Sequence, residues 1–174
     1  MKKFLITNAF LIPLLLFLPT LSLAADWKVT RIYDGDTIHV SDNKYSVKVK
    51  LVGIDAPEIG SKKREQGQPF SQQSKKYLAG LIMNKSVDIR AYELDVDNQI
   101  LGLVYFRGRN INLHMVKAGL AEVHRGNPPD GFDPEPYWQA EKKAREAMMG
   151  MWSLGDKYIS PKDWRDMQKS APLN

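Results

Sequence analysis

Cysteine is absent from all 174 residues. That absence excludes disulfides, thiolate metal sites, a lipid-bearing amino-terminal cysteine and a cysteine nucleophile. Histidine is scarce as well: His39, His114 and His124 are the three present, and no two stand at metal-ligand spacing, so each reads as structural or surface. No internal repeat or low-complexity stretch follows the amino-terminal segment. The fold therefore rests on packing, helped by any ion that it binds.

A long apolar run occurs once, from Phe4 to Leu21, after Met1-Lys2-Lys3 and before the small residues Ser22-Leu23-Ala24-Ala25. That order is an export signal, residues 1–24, with cleavage after Ala24 or Ala25; Asn8, Pro13 and Pro19 interrupt the run and argue against a retained membrane anchor. A secreted or periplasmic location follows. Residues 25–174 suffice for one domain with a real core and are too few for two, and a monomer is expected. The formal charge of +5 falls to +3 once Lys2 and Lys3 are removed, an excess compatible with a polyanionic partner without identifying one.

Trp27 to Tyr33 and Thr37 to Val40 are rich in β-branched and aromatic residues and flank the turn signal Asp34-Gly35. Tyr45, Val47, Val49 and Leu51 alternate with Ser46, Lys48 and Lys50, the period of a half-buried strand, with Asp42-Asn43 as the preceding turn. Phe70, Ser74, Tyr77, Leu78 and Leu81 fall near helical spacing, with Asn84 as a stop. Ser86 to Tyr92 and Ile100 to Phe106 read as two further strands. Five strands with a helix between the third and fourth match the order of an OB-type β-barrel, an α+β fold. Asn112 is expected to cap a short helix ending at Gly119. Asp133-Pro134 starts a longer one whose face carries Tyr137, Ala140, Ala144, Ala147 and Met148 and which ends at Gly150, bringing the count to about three helices. Trp152 and Trp164 lie in a tail expected to cover the core.

Two short segments carry chemistry: Asp34-Gly35-Asp36-Thr37, and Lys50 to Glu58 with Asp55-Ala56-Pro57-Glu58 at its end. Each puts carboxylates at a strand terminus. Clustered carboxylates repel one another unless a cation neutralises them, and oxygen ligands favour calcium or magnesium over zinc. Asp34 by itself reads as a turn residue.

With these pieces the chain resembles the staphylococcal nuclease-like, or thermonuclease, family. The resemblance rests on residues 34–37, on Ile54-Asp55-Ala56-Pro57-Glu58 with Asp55 nineteen positions after Asp36, on Gly119-Leu120-Ala121, and on the helix with Glu141 and Ala144 that runs to Gly150-Met151-Trp152. It implies a calcium-binding barrel that hydrolyses phosphodiester bonds in DNA or RNA. By position it implies metal ligation by the Asp36 and Asp55 carboxylates and the Ala56 carbonyl, with Glu58 beside the attacking water as general base.

The family's two arginines are not matched. The first position holds Lys50; the second falls at Gln99 with a shortened turn or at Leu101 without a gap. Lysine offers a point charge and glutamine a neutral amide where a guanidinium would grip two phosphate oxygens, so weakened catalysis is expected. Lys62-Lys63-Arg64, just after Glu58, and His124-Arg125 are candidate nucleic-acid contacts; Glu141 reads as a structural carboxylate bonded to loop backbone. Two other functions compete with a calcium-dependent nuclease: a nucleic-acid-binding module with impaired catalysis, and a structural protein of the cell envelope.

Overall fold

In the computed structural model, which describes residues 27–60 and 67–170, the β-branched amino-terminal stretches form a meander of β1 (Trp27–Ile32), β2 (Thr37–Ser41) and β3 (Ser46–Leu51). The antiparallel registers pair Ile32 with Ile38 and Thr37 with Lys50. Alternation, shifted by an irregularity between Val29 and Arg31, sends Val29, Ile32, Ile38, Val40, Val49 and Leu51 inward. Tyr45 departs from the expected pattern: it is exposed in the hairpin, where Asp42 Oδ1 accepts the Lys44 and Tyr45 backbone N–H groups and starts β3 one residue later.

The chain then forms β4 (Ile54–Asp55), α1 (Ser71–Ile82), β5 (Ser86–Leu94), β6 (Ile100–Phe106), β7 (Arg109–Asn110), α2 (Ile111–Lys117), β8 (Glu122–Val123) and α3 (Glu135–Glu146). The strand order is β3-β2-β1-β5-β6-β7, and a parallel β3–β6 pairing closes β1, β2, β3, β5 and β6 into a five-stranded barrel. This is the expected OB-type architecture. α1 buries Ser71, Ser74, Leu78 and Ile82 against it and leaves Tyr77 exposed, a face rotated slightly from the one the spacing suggests.

The helical part differs from expectation in three places. Asn110, not Asn112, caps α2 by accepting the Leu113 N–H. Asn112 is fully buried and crosslinks the barrel, taking the Val104 N–H and donating to the Val52 and Gly102 carbonyls. α3 stops at Glu146, ahead of Met148 and Gly150, both with positive φ. The tail is helical too, adding a 3₁₀ segment (Gly150–Lys157) and α4 (Pro161–Ser170), so the described residues contain four α-helices instead of about three.

Gly119 and Gly150 explain how that tail is fastened. A Cβ on Gly150 would lie 2.2 Å from the Gly119 carbonyl oxygen, and the Met151 N–H donates to that same carbonyl at 2.8 Å. Met151 and Trp152 are thereby buried beside Ala144. No helix among the described residues is long and apolar enough to cross a membrane. The expected export signal and Lys62-Lys63-Arg64 lie outside the described residues.

Candidate active site

The mouth of the barrel is built from the turn after β1 and the strand end at β4. In the turn, Asp34 Oδ1 accepts the Asp36 backbone N–H at 3.0 Å, which folds the chain sharply enough to bring Asp36 inward. Gly35 must lack a side chain: a Cβ there would lie 1.8 Å from Ser74 Oγ of α1 and 2.8 Å from the Ala56 Cβ. Asp36 is buried; its Oδ1 accepts from Thr37 Oγ1 and its Oδ2 accepts the Ala56 N–H at 2.9 Å. The two acidic segments therefore meet through a hydrogen bond.

Asp55, Ala56 and Pro57 are buried, and Glu58 is half-exposed. Gln68 holds the Glu58 backbone by accepting its N–H and donating its own backbone N–H to the Glu58 carbonyl. Its amide nitrogen also donates to the Ile159 carbonyl, tying this loop to the tail. Lys50 Nζ sits 3.6 Å from Asp36 Oδ1. Asp36, Asp55, Asp34 and Glu58 all hold the Lys50 ammonium above its ordinary pKa, Asp36 most strongly and burial opposing. Burial and then the neighbouring Asp36 charge push Asp34 up to about 7. Burial also raises Glu58, although Arg165 works the other way.

Arg165, from α4, is a site residue that sequence reasoning missed. Its Nη1 and Nη2 donate to Asp55 Oδ1 and Oδ2 at 2.8 and 2.7 Å, and Nη1 also donates to Glu58 Oε1 at 2.5 Å. The Asp55 bond raises the already high guanidinium pKa, so the charge is permanent. Glu122 was missed as well. It faces Asp55 across the β4–β8 pair, is 1% exposed, accepts from the Tyr158 hydroxyl at 2.7 Å, and leaves Oε1 without a partner among the described residues. Burial raises its pKa. Its place directly after Gly119-Leu120-Ala121 was the available signal; no local pattern marks Arg165.

Other expected residues are placed elsewhere or held differently. The Gln99 backbone N–H donates to Asp95 Oδ1 and its side-chain nitrogen lies 3.5 Å from Asp97 Oδ2, while Oε1 is buried and has no partner among the described residues. These contacts keep its amide within its own turn. Arg125 binds Glu141 at 2.6 Å, reaches Glu122 at 3.5 Å and lies 4.7 Å above the Trp138 ring. His124 is exposed, its N–H donating to the Gly53 carbonyl. Glu141 is structural as expected, but its partners are the Arg125 and Arg145 guanidiniums, not loop backbone.

The donor chemistry suits a hard cation: buried carboxylate oxygens of Asp36 and Asp55 beside Glu58. Their placement does not yet accept one. Asp36 is engaged by Thr37, Ala56 and Lys50, and Asp55 by Arg165; among the described residues no group of three or more His, Asp or Glu side chains is arranged to hold a metal ion. For Asp55 to accept a divalent cation, Arg165 would have to leave its carboxylate.

A closed OB-type barrel with helices on its flank and a carboxylate-lined mouth defines the class. The chain belongs to the staphylococcal nuclease homologue family, whose family model matches residues 48–154. A protein of Escherichia coli named an uncharacterized endonuclease is 37% identical over 159 residues, covering 88% of this chain and 95% of its own. A Shigella flexneri protein named micrococcal nuclease is 35% identical over 155 residues, covering 83% and 82%. An uncharacterized endonuclease of Haemophilus influenzae is 35% identical over 143 residues, covering 82% and 74%.

Proposed function

We propose that this chain is an exported, calcium-dependent nuclease that hydrolyses phosphodiester bonds in DNA or RNA. The observation that carries the reading is the joining of Asp36 to Ala56, which sets two buried aspartates and the half-exposed Glu58 at one mouth beside Lys50. The names of the relatives, endonuclease and micrococcal nuclease, point the same way.

Asp36 and Asp55 would hold the cation, with the Ala56 carbonyl as the third ligand that the family resemblance implies. Calcium, when bound, offsets the charge of the scissile phosphate. Glu58, made more basic by burial, orients a water and takes its proton as the water oxygen attacks phosphorus; the departing oxygen leaves with a proton from solvent. Lys50 attracts the phosphate as a point charge. His124, and Lys62-Lys63-Arg64 in the loop after Glu58, are proposed to meet the nucleic-acid backbone, whereas the bonds of Arg125 favour a structural role. Export follows from residues 1–24, and we expect a monomer without a membrane anchor.

A second reading, a nucleic-acid-binding module with impaired catalysis, is favoured by one observation. The Gln99 amide is turned toward Asp97, so its position adds neither charge nor a directed donor at the mouth. Incubating residues 25–174 with single- and double-stranded DNA and with RNA, in calcium or chelator, separates the readings. Calcium-dependent cleavage that Glu58→Gln lowers by about 10²–10⁴-fold supports the nuclease. Binding without cleavage in either condition supports the module.

A further inference from the structure

The family match ends at residue 154, and α4 follows it. Pro161 is the one buried residue of α4, and Trp164 lines a small cavity with Gln68, Met151 and Tyr158. Lys162, Asp163, Asp166 and Lys169 are exposed, and the ion pairs of Lys162 and Lys169 stay within the helix on Asp166. Arg165 is the exception: its planar fork covers both Asp55 oxygens and one of Glu58. Asp55 is buried, whereas Arg165 and Glu58 are half-exposed.

Three acids at one mouth need positive charge, and one Lys50 does not balance them. A guanidinium and a divalent cation can each answer that need. They cannot occupy the same edge of Asp55 together, because each requires those oxygen lone pairs and the two cations repel at contact distance. Gln68 bears on both sides of this choice: it holds the Glu58 backbone and the Ile159 carbonyl, so the tail is aimed at the loop that carries the base.

We infer that Arg165 is an internal counter-cation, and that α4 is a latch that closes the mouth until a divalent cation takes Asp55 from it. This rests on the reading that Asp55 is a cation ligand. By linkage the effect is reciprocal: removing Arg165 tightens cation binding, and cation binding loosens α4. A merely structural arginine would do neither. An arginine that served only to grip substrate phosphate would alter KM and leave cation affinity alone.

The test measures calcium affinity by calorimetry, and terbium luminescence as a second probe, on the purified protein, Arg165→Gln, Arg165→Lys and Lys162→Gln. The last removes one positive charge from the same helix without touching the fork. Arg165→Gln is expected to bind calcium at least about fivefold tighter than wild type, with Arg165→Lys between them and Lys162→Gln close to wild type. Calcium should also speed amide exchange across residues 161–170 in wild type and not in Arg165→Gln. Equal or weaker affinity in Arg165→Gln overturns the latch. If calcium then still binds and drives cleavage, the nuclease reading stands alone; if no variant binds calcium, both fall.

Discussion

Asp36 Oδ2 accepts the Ala56 backbone N–H at 2.9 Å, a bond spanning twenty residues that joins the turn after β1 to the strand end carrying Asp55. A carboxylate proposed as a cation ligand is thus also a structural acceptor. Asp36→Ala leaves a buried N–H without a partner, and a loss of about 1–3 kcal/mol is expected in chelator. Asp36→Asn keeps an acceptor oxygen and should recover at least half of it. Denaturant titration of both variants checks this; equal stabilities would mean that the Ala56 bond contributes nothing.

Gly35→Ala should be poorly tolerated, because its new Cβ would meet Ser74 Oγ at 1.8 Å and both the Ser74 and Ala56 Cβ atoms at 2.8 Å. Overpacking of this kind costs about 1–3 kcal/mol, occasionally more. Trimming Ser74 to Ala removes the oxygen but not the Cβ contacts, so Gly35→Ala with Ser74→Ala should not regain the stability of Ser74→Ala alone. Thermal melts of the three variants decide the matter, and full rescue in the double variant would mean that the turn relaxes freely.

Asn112→Ala is expected to be among the more damaging single changes, since one fully buried side chain serves the Val104 N–H and the Val52 and Gly102 carbonyls. Two buried backbone groups, the Val104 N–H and the Val52 carbonyl, lose this partner outright while the Gly102 carbonyl keeps another, at a combined cost of at least about 2 kcal/mol. Val52 N–H still donates to the Gly102 carbonyl, so the strands stay adjacent and the loss is one of stability, not topology. A loss of unfolding free energy below a third of that size, read by denaturant titration, would contradict the role given to Asn112.

Stability should fall as pH rises from about 4 to about 7 through the contribution of Asp34. Its pKa moves from 3.8 to about 7 on folding, so in that window the folded chain holds a proton that the unfolded chain has released. The contribution is complete below the unfolded value and gone above the folded one. Asp34→Asn keeps the oxygen that accepts the Asp36 N–H and removes the charge. In chelator it should stabilise the protein at about pH 8, change little at about pH 4, and flatten the slope between them. A melting curve series showing the same slope in both proteins would assign it to another group.

Much of this molecule was legible because its causes are local. Alternation over a few residues places Val29, Ile38, Val40, Val49 and Leu51 inward, and Asp34-Gly35 turns the chain wherever it stands. The same short-range rules fail where two residues offer the same local chemistry. Asn110 and Asn112 can both cap a helix; the choice falls to Asn110 because Asn110 ends β7 in register with Tyr105, while Asn112 is drawn into the barrel wall. Tyr45 and Tyr77 carry the right period and are exposed, since a hairpin end and a helix edge lack neighbours to cover them.

The amino-acid sequence by itself determined the barrel, the turn and the acids at its strand ends, because pleat, turn chemistry and apolar period act between near neighbours. Tertiary structure alone decided which positive charge those acids meet. Arg165 and Asp55 stand 110 residues apart. The entropic cost of bringing them together grows only slowly with that separation, so distance along the chain does not reveal the pairing. What selects it is the packing of the tail: Met151 on the Gly119 carbonyl, Gln68 on Ile159, Trp164 beside Gln68 and Tyr158. Those contacts aim one arginine at the mouth and leave Lys162 and Lys169 in solvent.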